Sequence, residues 1–109
     1  MTRFNINMQQ AIDFVIHSLI HLKGGEIFVP KIPSFNIMDL AKAVDKTCKI
    51  KIIGIRPGEK LHEEMISIYD SPNTVELDKG YVILNKNNYK FYNNYKFLSP
   101  GFTYRSDTN

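Results

Sequence analysis

Apolar positions recur at helical spacing across residues 7 to 23, where Ala11, Ile12, Val15, Leu19 and Leu22 form one stripe. Asn7 stands ahead of the stripe as an N-cap with Gln10 three residues on, and Gly24-Gly25 ends it. The run Glu26-Ile27-Phe28-Val29-Pro30 is rich in β-formers and reads as a short strand. A second helical stripe, Ile37, Leu40, Ala41 and Val44, predicts a helix from Asn36 to Lys46, with Asp39 favouring its first turn. The isoleucines of Lys49 to Ile55 predict a second strand, and Lys60 to about Ser67 a third helix. Thr74 to Leu77 and Gly80 to Leu84, joined by Asp78-Lys79, read as a hairpin. Alternating helices and strands make this an α/β chain, too short for a complete doubly wound sheet. Residues 1–84 form the patterned unit, and residues 85–109 a polar, aromatic tail with no sustained period, expected to be irregular.

Composition narrows the function classes. With 109 residues the chain is one domain with a modest core. Its net charge of +3 favours anionic ligands, but the lysines are scattered and fall short of a nucleic-acid-binding stripe. One cysteine, Cys48, excludes an internal disulfide and fits a reducing cytoplasm. Between a helix and a strand, Cys48 is expected to be small and buried. No apolar run reaches the roughly 18 residues of a membrane span.

The candidate chemistry centres on Arg56-Pro57-Gly58-Glu59. Pro then Gly at the two central positions is the signature of a type II turn, and Gly58 supplies the positive φ it needs. Such a turn brings Arg56 and Glu59 together, here between an expected strand and an expected helix. Arginine matches phosphate oxygens two at a time, and a carboxylate accepts hydrogen bonds from vicinal hydroxyls such as those of a ribose. The turn alone leaves two readings open: a clamp for a nucleoside diphosphate, or an ion pair between Arg56 and Glu59.

Three separated motifs carry a resemblance. Met1-Thr2-Arg3-Phe4, then Gly24 to Ser34 (GGEIFVPKIPS), then Ile53 to Ile66 (IGIRPGEKLHEEMI) occur in that order. They resemble the carboxyl-terminal part of the inverting UDP-N-acetylglucosamine 4,6-dehydratases, of the polysaccharide-biosynthesis branch of the extended short-chain dehydrogenases. The likeness runs on through Asn73-Thr74-Val75 and Tyr81 to Leu84, and returns at Gly101-Phe102 and Tyr104 to Asn109. The resemblance implies a partial Rossmann-type fold: a nucleotide-sugar-binding subdomain with short strands and about three helices. It implies that Arg56 and Arg3 grip the diphosphate of UDP-N-acetylglucosamine and that Glu59 lies beside its ribose. Family enzymes hold NADP, oxidise C4 of the sugar, eliminate the C6 hydroxyl, return hydride to C6 and invert C5.

The family's glycine-rich dinucleotide turn and its catalytic Tyr-Lys region do not occur in this sequence. The expectation is therefore a substrate-binding part of a dehydratase, with no cofactor site or catalytic residue of its own. It would be inactive alone and partnered by a separate amino-terminal half, in a parent expected to be a cytoplasmic homo-oligomer. The alternative is a stand-alone UDP-sugar-binding or assembly module. Tyr92 and Lys96 have the Tyr-x-x-x-Lys spacing of short-chain dehydrogenases but lie in the tail, after the substrate motif. His17 and His21 are one helical turn apart with no third metal ligand in view, and Ile66 stands where His62-Glu63 would need a second histidine to bind zinc. Lys31 ends a strand facing either ligand or solvent.

Overall fold

The computed structural model describes residues 1–109. A hairpin forms the centre of the molecule: β5 (Thr74–Glu76) and β6 (Gly80–Ile83) pair antiparallel across Asp78-Lys79. Leu77 N–H closes the turn on Gly80 O at 2.8 Å. On the far side of β6 lies β2 (Ile27–Pro30), in register from Ile27 opposite Ile83 to Pro30 opposite Gly80. Gly80 is needed for this approach. A Cβ there would sit 2.5 Å from Val29 O and 3.3 Å from the Phe14 ring. β7 (Lys96–Phe97) completes the four-stranded order β2-β6-β5-β7, which leaves β2 on an edge, where a proline is tolerated.

Strand alternation divides the core between the two sheet faces. Val29, Tyr81 and Ile83 turn one way, towards Ile66 and Tyr104, with Phe4, Leu98 and Phe102 packed against them. Phe28, Val82 and Leu84 turn the other way, towards Val75 and Tyr92. Two small sheets flank this centre: β1 (Thr2–Phe4) with β3 (Ser34–Asn36), and β4 (Glu64–Ile66) with β8 (Tyr104–Arg105). After Leu84 the elements are short, a single 3-10 turn at Tyr89–Phe91 and the two-residue strands β7 and β8, yet Asn88, Tyr92, Tyr104 and Ser106 are all buried.

Helix α1 (Met8–His21) begins as expected. Asn7 Oδ1 accepts from Gln10 N–H at 2.8 Å and Gln10 Oε1 accepts from Asn7 N–H at 3.1 Å, a complete capping box. Asn36 caps α2 (Ile37–Val44) by accepting from Met38 N–H. The expected burial of their apolar stripes does not occur: neither helix holds a buried residue, and Val15 is 57 % and Leu19 66 % exposed.

Two expected elements are replaced. Lys49 to Ile55 is not a strand: no neighbouring strand offers hydrogen bonds, and Ile52 is 86 % exposed. Lys60 to Ser67 is not a helix but a loop, bent at Leu61-His62, that runs into β4. The carbonyls a helix would use internally are taken from the side. Leu61 O accepts from Thr2 N–H at 2.9 Å, and Lys60 O accepts from the Arg3 guanidinium at 2.9 Å. The α/β class therefore stands with two α-helices where about three were expected. The Cα radius of gyration, 16.9 Å, exceeds the roughly 13 Å of a compact domain of this length.

Candidate functional site

The Arg56-Pro57-Gly58-Glu59 turn forms as its residues require. Gly58 has φ +79°, and Glu59 N–H reaches back to Arg56 O at 3.1 Å. Arg56 and Glu59 lie side by side: Arg56 Nε is 3.9 Å from Glu59 Oε2, which also accepts from Arg56 N–H at 3.1 Å. The ion pair of the simpler reading is thus present, but it occupies little of either group. Contact at Nε leaves both terminal nitrogens of Arg56 without a protein partner, and its side chain is 77 % exposed. An exposed pair of this kind contributes only about 0–1 kcal/mol, so an anion can compete for the guanidinium. The setting differs from the expected strand-to-helix junction, because an irregular arm precedes the turn and a bent loop follows it.

Arg3 stands on β1 against the chain that leaves this turn. Its Nη1 donates to Thr2 O at 2.7 Å and to Leu61 O at 3.2 Å, and Nη2 donates to Lys60 O at 2.9 Å. Its Nε faces Glu63 Oε1 at 3.8 Å, while Glu63 Oε2 accepts from Phe4 N–H at 2.8 Å. Arg3 is therefore bonded to the residue next to Glu59, and two of its hydrogen bonds serve carbonyls of the loop.

Sequence reasoning missed the polar cluster behind this loop. Thr2 Oγ1 lies 2.6 Å from His62 Nδ1 and 2.7 Å from Ser106 Oγ, which accepts from Glu63 N–H at 2.8 Å. These residues come from the start, middle and end of the chain, and no local pattern joins them.

Glu26 and Tyr92 form a second hidden pair. Glu26 is buried and accepts from Lys23 N–H, Gly24 N–H and Tyr92 Oη–H, the last at 2.7 Å. Burial pushes the Glu26 carboxyl up, but these hydrogen bonds outweigh it and hold its pKa below the ordinary value. Burial pushes the Tyr92 hydroxyl well up, and the bond to Glu26 and that group's charge push it further. An active-site tyrosine needs the opposite shift. Tyr92 follows a 3-10 turn and Lys96 begins β7, so no helix aligns the two.

The remaining candidates sort plainly. The rings of His17 and His21 stack at 4.3 Å, His21 Nδ1 contacts His17 O, and no group of three or more metal-ligating side chains assembles. Lys31 pairs with Glu76 at 3.7 Å and lies over the Tyr81 ring. Cys48, expected to be buried, is exposed because the strand meant to cover it does not form. No helix is long and apolar enough to cross a membrane.

Known proteins resemble this chain in sequence and in fold. Residues 1–85 match the family described as polysaccharide biosynthesis protein. An inverting UDP-N-acetylglucosamine 4,6-dehydratase of Campylobacter jejuni serotype O:2 is 44 % identical over all of this chain and 36 % of its own length. One from serotype O:23/36 is 51 % identical over 76 % of this chain and 25 % of its own. The solved structure of Pen from Bacillus thuringiensis superposes with a TM-score of 0.80 at 32 % identity, over the whole of this chain and 33 % of that one. The chain thus spans about a third or less of the length of these relatives. By the match of its residues 1–85, it belongs to the polysaccharide biosynthesis protein family.

Proposed function

We propose that this chain is the substrate-binding part of an inverting UDP-N-acetylglucosamine 4,6-dehydratase serving surface-glycan or nonulosonic-acid synthesis. In this reading Arg56 and Arg3 hold the diphosphate of UDP-N-acetylglucosamine and Glu59 accepts from the ribose hydroxyls. The observation that carries it is the closed turn, with its guanidinium open to solvent and its carboxylate alongside, one residue from the carbonyl that Arg3 grips.

In this reading the dinucleotide is held elsewhere, and neither α-helix opens on a glycine-rich turn, since α1 starts after Asn7 and α2 after Asn36. NADP and the catalytic groups would come from a separate amino-terminal half, in a cytoplasmic homo-oligomer. Exposed apolar stripes on both helices and the open edge of β2 are consistent with such a partner.

The test is calorimetric titration with UDP. Arg56→Ala should weaken binding roughly 10- to 100-fold, as expected for loss of a charge-assisted hydrogen bond. Equal affinities for the two proteins would remove Arg56 from the site.

A further inference from the structure

The arm from Lys46 to Glu59 makes no hydrogen bond to the body of the molecule beyond the end of α2. Where its turn points is therefore decided where the chain rejoins the body, at Lys60 to Glu63. Two separate segments hold it there, and a ring within the loop joins them. β1 supplies Thr2 N–H to Leu61 O and the Arg3 guanidinium to Lys60 O. From the end of the chain, Ser106 N–H donates to Glu63 O at 2.9 Å and Ser106 Oγ accepts from Glu63 N–H. Within the loop, the His62 ring reaches Thr2 Oγ1 at 2.6 Å, and that oxygen is 2.7 Å from Ser106 Oγ.

The direction of this network follows from proton counting. Glu63 N–H can only donate, so Ser106 Oγ accepts from it, and each hydroxyl has one proton to give. Only one order employs both hydroxyl protons: Glu63 N–H to Ser106 Oγ, Ser106 O–H to Thr2 Oγ1, and Thr2 O–H to His62 Nδ1. In that order His62 Nδ1 accepts and the ring proton sits on Nε2, with the ring orientation set. Ser106 is buried and Thr2 and His62 half-buried, so water competes weakly for these bonds.

We propose that His62, locked by Thr2 and Ser106, is the positioning residue for the Arg56–Glu59 turn. It sets the angle at which the arm leaves the body beside Arg3, and so the spacing between the two arginines that would share a diphosphate. The inference rests on the UDP-binding reading for its consequence, but not for its structural content.

The full chain can test both. In 15N relaxation measurements, His62→Ala and Thr2→Val should each increase the mobility of the amides from Arg56 to Lys60 while those of Val75 and Val82 stay rigid. UDP affinity should fall about tenfold in both, as for loss of one hydrogen bond. His62→Asn keeps an acceptor near the Nδ1 position and should hold affinity within about threefold of the parent. Long-range 15N spectra of the parent should show an unprotonated Nδ1 on His62, and Ser106→Ala should change the tautomer balance. Unchanged mobility of the turn in both His62→Ala and Thr2→Val overturns the proposal, whether or not UDP binds. If the turn loosens as expected but the parent chain binds no UDP, the nucleotide reading fails and the positioning role stands.

Discussion

Ile66, Val75 and Val82 have no exposed surface, whereas neither α1 nor α2 buries a single residue. The strand half satisfies itself: β6 is covered on both faces and paired on both edges, and aromatic rings from the end of the chain close over it. The helical half, together with the Lys46–Glu59 arm, has correct local structure and unfinished packing. Its caps and turn are complete, but Val15, Leu19, Val44 and Ile52 face solvent. Exposed apolar surface on this scale is characteristic of an interaction face. The contrast separates two sources of structure, one stabilised by a buried core and one by local hydrogen bonds and the limited contact of Phe14 with Gly80. It also accounts for the molecule's length, since half of it adds extent without adding core.

The largest effect should come from cutting into the packed half. Ile66→Ala empties a site at the junction of β4, β6 and β8 that has no exposed surface, and should cost about 2–5 kcal/mol in urea unfolding. A loss below about 1 kcal/mol would mean that this core is as loose as the helical half.

Next in size is the hidden carboxylate. Tyr92→Phe removes one donor from buried Glu26 and should cost about 1–3 kcal/mol. The same site sets a pH dependence. The folded pKa of Glu26 lies below its unfolded value, so its contribution is present above about pH 4.3 and is lost as pH falls through the folded pKa. Urea midpoints measured down from neutrality should decline in that acid range, and less steeply in Tyr92→Phe and in Glu26→Gln. Parallel declines in parent and variants would assign the acid loss to other carboxylates.

What could be read from the sequence divides along the same line. The Asn7 capping box, the Asp78-Lys79 hairpin and the Pro57-Gly58 turn depend on neighbours within a few residues, and each forms where its pattern stands, whereas α1 ends at His21, short of the Gly24-Gly25 pair. The isoleucines of 49–55 have strand composition, but a strand exists only against another strand, and this chain supplies none there. The helical pattern of 60–67 is overridden by β1, whose partners for Lys60 and Leu61 lie 57 to 59 residues away. The packing of Tyr92 and Tyr104 was illegible because the tail's strands are two residues long, too short to show a period. Of the candidate site, the turn and both its charged side chains are visible in the sequence. Its anchor at Thr2, His62 and Ser106 is not, because hydroxyls and an imidazole more than 40 residues apart leave no sequence pattern.

The smallest expected effect is the most direct probe of the unfinished half. Leu19 lies mid-stripe on α1 at 66 % exposure, so Leu19→Ser removes little buried surface from the isolated chain. Leucine is the better helix former, yet the net change in unfolding free energy should stay within about 0.5 kcal/mol, as for exposed positions generally. What should change is association. If the stripe is a docking face, the parent chain should self-associate or bind hydrophobic dyes at concentrations where Leu19→Ser remains monomeric, as sedimentation velocity can measure. A loss of more than about 1.5 kcal/mol on Leu19→Ser would instead mean that α1 is already buried in solution. The two halves would then share one core.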